Sequence, residues 1–163
     1  MLKNKGGMFS SIIQIKDKEL LISGEQTIKK EIVSIWDIKR YQCIMSISGI
    51  FCHSANSIVQ LDERNVLIGG LSKIVVLNFY TGKIEKVIQD SNIKHVTCIC
   101  LLKEGKFILC GCEEGKFLLY DRESKILTQK QTSHKKTITN IIKINDNIIA
   151  SCSFNNTIKI WSY

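Results

Sequence analysis

The sequence has no proline at all, and glycine occurs at only ten of its 163 positions. A chain this poor in both residues lacks the composition of a disordered linker, so we expect one continuously folded unit. Long hydrophobic runs are also missing, because stretches such as Phe107–Cys110 fall far short of the roughly 20 apolar residues that span a bilayer. Segment 1–11 contains no apolar stretch of the kind found in signal peptides. These absences predict an intracellular protein without a transmembrane segment, with the cytoplasm as the first expectation and the nucleus left open.

Arginine is scarce, with only three residues in a chain whose formal net charge is +8. The lysines are scattered, and the only adjacent lysine pairs are Lys29–Lys30 and Lys135–Lys136. Sites that bind phosphate groups usually cluster their charge and use arginine forks. The pattern therefore favours a solvated basic surface, and a specific anion site is the alternative.

An internal repeat is what the sequence does contain. Segment 9–24, FSSIIQIKDKELLISG, resembles segment 138–152, ITNIIKINDNIIASC, and a related pattern occurs at 96–111 and more weakly at 57–70. Each segment consists of an apolar strand, a short charged turn and a second apolar strand, and a third strand follows it. The ends of these third strands recur 41, 43 and 41 residues apart, at Trp36, Leu77, Tyr120 and Trp161.

A polar turn and a fourth short strand follow each of the first three units, so the repeat holds four strands in about 42 residues. Helical periodicity is absent, and repeats of this length are typical of β-propeller blades. The sequence predicts an all-β fold, a propeller of about four blades made of four-stranded antiparallel sheets, as a single domain over 1–163. The predicted units are blade 1 at 8–47, blade 2 at 53–89, blade 3 at 95–131 and blade 4 at 134–163, the last without its outer strand.

The histidines and tryptophans carry a resemblance to a known family. His53, His95 and His134 lie 24, 25 and 27 residues before the ends of the third strands. Segment 151–161, SCSFNNTIKIW, is similar to the pattern SGSxDxTIKIW of the WD-repeat β-propeller family, and Trp36–Asp37 is the family's terminal dipeptide itself. The resemblance covers nearly the whole chain, from about residue 8 to residue 163.

In that family a histidine, a serine, an aspartate and a tryptophan form a hydrogen-bonded chain inside a blade. Carried over by position, the resemblance implies a structural network of His134, Ser151, Asn155 and Trp161. An imidazole can accept a buried indole N–H while it donates through its other nitrogen, but Asn155 lacks the aspartate charge, which weakens the chain. We expect the other blades to rely on apolar packing, with one intact network at most. Their departures from the pattern are Lys5, Leu77, Cys110, Glu114 and Tyr120.

The seven cysteines are an odd number in a chain without a secretory signal, which favours reduced thiols. Cys98 and Cys100 lie opposite Cys110 and Cys112 in one predicted hairpin, and in one register all four sulfurs would share a face and suggest zinc. We favour small apolar residues packed between blades, with no metal and no cofactor. Cys52–His53 is the only place where a cysteine is adjacent to a histidine, and no third group orients the pair, so we predict no enzymatic activity.

A propeller displays loops around a rigid ring, and the resemblance therefore implies a non-catalytic scaffold that docks proteins or peptides through its rim. A basic propeller segment that binds nucleic acid or an anionic membrane surface is the alternative. Phe154 is the first candidate for a partner contact, because an exposed aromatic side chain makes a good anchor. The rim positions that the family's pattern indicates are Phe154, Thr137, Thr139, Thr97 and Glu113.

About four blades are too few for the family's rings, which typically need about seven or eight. We therefore expect an open arc with an apolar blade face at each end and an unpaired strand edge at 158–161. Such an arc would be either the carboxyl-terminal half of a longer propeller or one half of an assembly that self-associates to complete the ring.

Overall fold

Fifteen β-strands in four antiparallel sheets make up a computed structural model of the chain, which describes residues 8–26, 31–50 and 57–163. Within those residues, the only helical segment is a single 3-10 turn at Glu113–Gly115. No helix in this described part has the length and hydropathy needed to cross a membrane. The prediction of an all-β fold with four propeller blades is confirmed.

Each sheet is formed by strands that follow one another in the sequence. The strands of blade 1 are β1 (Met8–Gln14), β2 (Leu20–Gln26), β3 (Glu31–Asp37) and β4 (Gln42–Ser48). The strands of blade 2 are β5 (Ile58–Gln60), β6 (Asn65–Gly69), β7 (Lys73–Asn78) and β8 (Ile84–Gln89).

Blade 3 has the same order of strands, and blade 4 has three strands within the described residues. The strands of blade 3 are β9 (Val96–Leu102), β10 (Phe107–Cys112), β11 (Lys116–Asp121) and β12 (Leu127–Gln131). The strands of blade 4 are β13 (Ile138–Lys143), β14 (Ile148–Ser153) and β15 (Thr157–Ser162). Because β15 is the last strand of its sheet, it pairs with β14 on one side only.

Three apolar cores join the blades, and each lies between two successive sheets. The first core packs Ile22 and Ile35 of blade 1 against blade 2, and the second packs Leu67 and Ile74 of blade 2 against blade 3. The third packs Phe117 and other residues of blade 3 against Ile138, Ile141 and Ile149 of blade 4. The described sheets therefore follow one another in sequence order, like the blades of a propeller.

Burial along the strands reflects this stacking. Strand β10 is buried on both faces, because blade 3 has a neighbour on each side. Strand β15 alternates between half-buried and exposed residues, because only one of its faces is covered. Side chains on alternate positions of a strand point to opposite faces of the sheet, so this alternation gives blade 4 one open face.

Glycine allows a close approach between blades 3 and 4. A Cβ on Gly111 would lie only 2.8 Å from Cγ2 of Ile138 in blade 4. Any larger residue at this position would push β13 away from β10, and for that reason the blade interface requires glycine here.

Candidate docking rim and the network beneath it

The turn between β14 and β15 places Phe154 at the rim of the propeller. The Asn156 N–H donates to the Ser153 carbonyl over 3.1 Å, and Asn156 has a φ of 62°, which asparagine tolerates. The Phe154 N–H donates to the Thr137 carbonyl over 3.1 Å, and the Ser153 hydroxyl donates to the Lys136 carbonyl over 2.9 Å. These bonds tie the turn to the segment that enters blade 4 and leave the Phe154 side chain 66% exposed.

Beneath the rim, the structure brings His134, Ser151, Asn155 and Trp161 together. The Trp161 indole N–H donates to the Ser151 hydroxyl oxygen over 2.8 Å, and that oxygen lies 2.8 Å from Nε2 of His134. Nδ1 of His134 lies 3.3 Å from Oδ1 of Asn155. The acceptor of the indole N–H is thus the serine, whereas we expected the imidazole, because the hydroxyl lies between the two rings.

Thr157 is a member of this network that the sequence reasoning did not single out. Its hydroxyl donates to Oδ1 of Asn155 over 2.7 Å and lies 3.0 Å from Nδ1 of His134. The signal was present, because Thr157 is the threonine of the TIKIW pattern. Thr132 also takes part, since its hydroxyl oxygen accepts the backbone N–H of His134 over 3.0 Å.

Both ring nitrogens of His134 and the Ser151 hydroxyl are satisfied when His134 is neutral and carries its proton on Nδ1. The Ser151 hydroxyl then donates to Nε2, and the Nδ1–H group donates toward Asn155 or Thr157. Burial lowers the pKa of His134, because a charged imidazolium would lose its hydration there, and the nearby Lys159 cation lowers it further, while the hydrogen bond to Asn155 raises it. The neutral form is consequently the one that the site stabilises near pH 7.

A shorter version of the network occurs in blade 1. The Trp36 indole N–H donates to the Ser23 hydroxyl over 2.8 Å, and this hydroxyl donates to the Glu25 carboxylate over 3.3 Å. Blade 3 differs, because Tyr120 stands in the tryptophan position and its hydroxyl oxygen accepts a hydrogen bond from Lys86 of blade 2 over 2.8 Å. Lys5, Cys52 and His53, which are candidate positions of blades 1 and 2, lie outside the described residues.

The remaining rim candidates differ in how exposed they are to solvent. Thr97 is buried, and its hydroxyl lies within hydrogen-bonding distance of the carbonyls of Gly111 and Ile138, so it connects blades 3 and 4. We expected Thr97 to contact a partner, and its burial contradicts that expectation. Thr137 and Thr139 are half-buried. Glu113 is exposed at the rim, where its carboxylate lies 3.0 Å from Nδ1 of His95. Leu71, in the turn between β6 and β7, is a further exposed apolar residue at this rim, and sequence reasoning missed it.

The cysteines of blade 3 lie on opposite faces of the sheet. Cys98 pairs with Gly111 and Cys100 pairs with Leu109, whereas Cys110 pairs with Ile99, so the register puts the two pairs of thiols out of phase. Cys98 and Cys100 face blade 4, and Cys110 and Cys112 face blade 2. The shared face that a zinc site would need is therefore not formed by these four residues.

Burial also makes these thiols poor nucleophiles. It raises the pKa of Cys98 and of Cys112 to about 12, and it raises the pKa of Cys110 well above its ordinary range. Each of them behaves as a small apolar side chain in a core between two blades.

An apolar groove with a volume of about 410 Å³ lies between blades 3 and 4. Phe117 and Leu119 of β11 form one wall, and Trp161 of β15 forms the other. Lys103 and Lys130 lie at its margin. The groove is open because, in the described residues, no fourth strand follows β15 to cover it.

Comparison with known proteins finds two repeats of one family in the second half of the chain. The family model of the WD domain, G-beta repeat, matches residues 85–121 and 125–162. The chain is 23% identical over 130 residues to the WD repeat-containing protein 55 homolog of Dictyostelium discoideum, an alignment that covers 78% of the chain and 31% of that protein. It is 27% identical over 141 residues to the U3 small nucleolar RNA-associated protein 4 of Schizosaccharomyces pombe, which covers 79% of the chain and 19% of the relative. The chain thus spans less than a third of the length of either relative.

Solved structures show the same fold. The crystal structure of the computationally designed Ika4 protein superposes with a TM-score of 0.71 at 19% identity, covering 99% of this chain and 95% of the designed one. The computationally designed Ika8 protein superposes with a TM-score of 0.69 at 19% identity, and the match covers 95% of this chain and 46% of the designed chain. The arc of blades therefore matches just under half of that longer chain.

Proposed function

We propose that the chain is a WD-repeat β-propeller protein, as its two matching repeats and its four successive sheets indicate, and that it is a non-catalytic scaffold that docks proteins or peptides through its rim. The observation that carries the proposal is the exposed ring of Phe154 on a turn that hydrogen bonds hold in place. A rigid aromatic side chain offers a large contact area at a small cost in conformational entropy, and such residues dominate binding energy in interfaces.

The network below the turn supports this role. His134 and Asn155 connect the turn to Ser151 and Trp161 in the centre of the blade, so the position of Phe154 is fixed before any partner arrives. A binding surface that is already ordered loses less entropy on association than a flexible one. Beside it, the exposed Lys135 and Lys136 give the surface a positive charge, which favours a partner segment that combines an apolar side chain with acidic residues.

The absence of catalysis is part of the proposal. Both ring nitrogens of His134 have partners in the network, so this imidazole is not free to act as a base. The raised pKa values of Cys98, Cys110 and Cys112 argue against an activated thiol at those positions.

The test compares two exposed aromatic residues on opposite sides of the propeller. Phe154 lies in a turn between second and third strands, whereas Tyr41, which is 68% exposed, lies in the turn between the third and fourth strands of blade 1. Partners crosslinked to the tagged chain in cells are quantified by mass spectrometry for Phe154→Ala and Tyr41→Ala. We expect Phe154→Ala to reduce recovery of a defined set of proteins about tenfold, equivalent to roughly 1.4 kcal/mol of binding energy, and Tyr41→Ala to retain it. Equal recovery with both variants, at equal stability, would contradict docking through Phe154.

Contact with an anionic polymer is the second candidate function. The net charge of +8 favours it, and one relative is named as associated with a small nucleolar RNA. Binding to a single-stranded RNA oligonucleotide and to phosphatidylserine vesicles is measured between about 50 and 200 mM salt. A steep loss of affinity with salt would support this function, whereas a protein partner held through Phe154 should depend little on salt.

We further propose an intracellular location. The name of the second relative refers to a nucleolar RNA, so the nucleolus is the first compartment to compare with the cytoplasm that we expected from the sequence. Imaging of the fluorescently tagged chain distinguishes the two.

A further inference from the structure

Blade 4 ends the arc with an apolar face that no described blade covers. This trailing face consists of Ile142, Ala150, Ile158 and Ile160, and Ile158 and Ile160 are 77% and 69% exposed. At the other end, blade 1 has a leading face formed by Phe9, Ile12, Leu21 and Trp36, on which Ile12 is 61% exposed.

The trailing face repeats, position by position, a face that is already used for blade packing. In blade 3, Leu109 pairs with both Cys100 and Leu119, and Gly111 pairs with Phe117. In blade 4, Ala150 pairs with both Ile142 and Ile160 in the same places, and Cys152 pairs with Ile158. The residues of blade 3 at these positions are the ones that blade 4 covers, namely Cys100, Leu109, Phe117 and Leu119.

The leading face repeats the surface that blade 4 uses to cover blade 3. The covering residues are Ile138, Ile141, Ile149 and Trp161. Strands β1 and β13 share the same register, including an irregularity after the first of these positions, so that Phe9 corresponds to Ile138 and Ile12 to Ile141. Leu21 and Trp36 correspond in the same way to Ile149 and Trp161. All four positions are apolar in both blades.

The trailing face therefore corresponds to the surface of blade 3 that blade 4 covers, and the leading face corresponds to the surface of blade 4 that covers it. The two ends of the arc are complementary in the same way as two successive blades. Within one chain they do not meet, because Ile12 and Ile160 are both solvent-exposed. The arc also matches just under half of a designed chain of about twice its length. We infer that two copies of this chain close into one ring, with the trailing face of each copy packed on the leading face of the other.

Such an interface joins different surfaces of the two copies, and a two-fold rotation closes it into a ring instead of a filament. Two positions depart from the interface between blades 3 and 4, because Cys152 stands where blade 3 has Gly111 and Asn140 stands where blade 3 has the buried Cys98. The thiol occupies the space into which Ile138 packs in blade 3, so the new interface is less tight than the internal ones. We accordingly expect the association to depend on protein concentration.

The experiment measures the mass of the full chain by sedimentation over a wide concentration range. The unmodified chain is expected to shift from its monomer mass of 18.5 kDa to twice that mass. Ile160→Lys on the trailing face and Ile12→Lys on the leading face should each keep the chain monomeric at concentrations where the unmodified chain is dimeric. Ile126→Lys is the matched control, since Ile126 is 59% exposed in a turn that belongs to neither face, and it should dimerise normally.

Mixing the two monomeric variants distinguishes this arrangement from any symmetric contact between like faces. Ile160→Lys retains a good leading face and Ile12→Lys retains a good trailing face, so the mixture should form a dimer through one interface, with a weaker affinity than the ring. A far-ultraviolet circular dichroism melt verifies that each variant is folded, and Ile158→Lys serves as a second trailing-face variant. A chain that stays monomeric throughout, a dimer that survives either lysine substitution, a mixture that remains monomeric, or particles larger than two copies would each overturn the inference.

Discussion

Blades 3 and 4 share one strand register, but different interactions hold their interiors together. Cys110 in blade 3 and Ser151 in blade 4 occupy the same place in the register, as do Tyr120 and Trp161. In blade 3 the thiol is fully buried among apolar neighbours. In blade 4 the hydroxyl accepts the hydrogen bond of Trp161 and contacts His134.

The position of each blade in the arc accounts for the difference. Blade 3 has a neighbour on both faces, so burial of apolar surface, worth about 25 cal/mol per Å², stabilises both sides of its sheet. Blade 4 has one covered face among the described residues, so less apolar burial is available to it. A network of buried, hydrogen-bonded polar groups supplies order at the end of the arc, because moving any one of its members would leave a buried donor or acceptor without its partner.

Truncation of one apolar position in each blade should give the largest contrast. Phe117 of blade 3 and Ile158 of blade 4 occupy the same register position, and they are 8% and 77% exposed. Phe117→Ala should cost about 3 kcal/mol of unfolding free energy, because it leaves a cavity between the blades. Ile158→Ala should change it by less than about 0.5 kcal/mol in dilute, unassociated protein. Urea unfolding measures both, and equal losses would mean that the two faces are covered to the same extent.

Removal of the central hydrogen-bonding atom should give the next largest effect. Ser151→Ala leaves the Trp161 N–H and Nε2 of His134 without their shared partner, which should cost about 2 kcal/mol. Cys110→Ala removes a thiol from the same register position in blade 3 and should cost about 1 kcal/mol, since only packing is lost. Thermal unfolding of the two variants provides the comparison. If Cys110→Ala lost more unfolding free energy than Ser151→Ala, the hydrogen bonds of Ser151 would contribute less to blade 4 than the packing of Cys110 contributes to blade 3.

The smallest expected effect is a pH dependence that belongs to blade 4. Burial lowers the pKa of His134 below its ordinary value of 6.5, so the unfolded chain binds the proton more tightly than the folded chain. The resulting stability is complete above pH 6.5 and is lost as the pH falls through the lower, folded-state pKa. Melting temperatures between pH 7.5 and pH 5 should therefore decline more for the unmodified chain than for His134→Gln. The extra decline corresponds to the uptake of about one more proton when the unmodified chain unfolds. Parallel declines would exclude His134 as the titrating group.

Much of blade 4 could be predicted from the sequence because its determinants are local. The alternation of apolar and polar residues in 157–162 predicts a strand wherever its neighbours lie. The turn at 154–156 depends on nearby asparagine and serine side chains. The expectation that blade 1 relies on apolar packing missed the hydrogen bond from Trp36 to Ser23, which repeats the one from Trp161 to Ser151. Thr157 could have been added from the same short pattern.

By itself, then, the sequence determined the repeat, the strands and the residues that meet inside a blade, because these depend on spacing along one hairpin or between adjacent strands. Only the tertiary structure decided that Cys98 and Cys110 face different neighbouring blades. Their relative orientation depends on the pairing register of β9 and β10, because a shift of one residue would move every side chain of a strand to the opposite face. It also decided that Thr97 is buried, because the carbonyl of Ile138 from the next blade lies over its hydroxyl. Contacts between blades join residues about 40 positions apart, as with Thr97 and Ile138, and their distances follow from how whole sheets pack and not from the pattern within either strand.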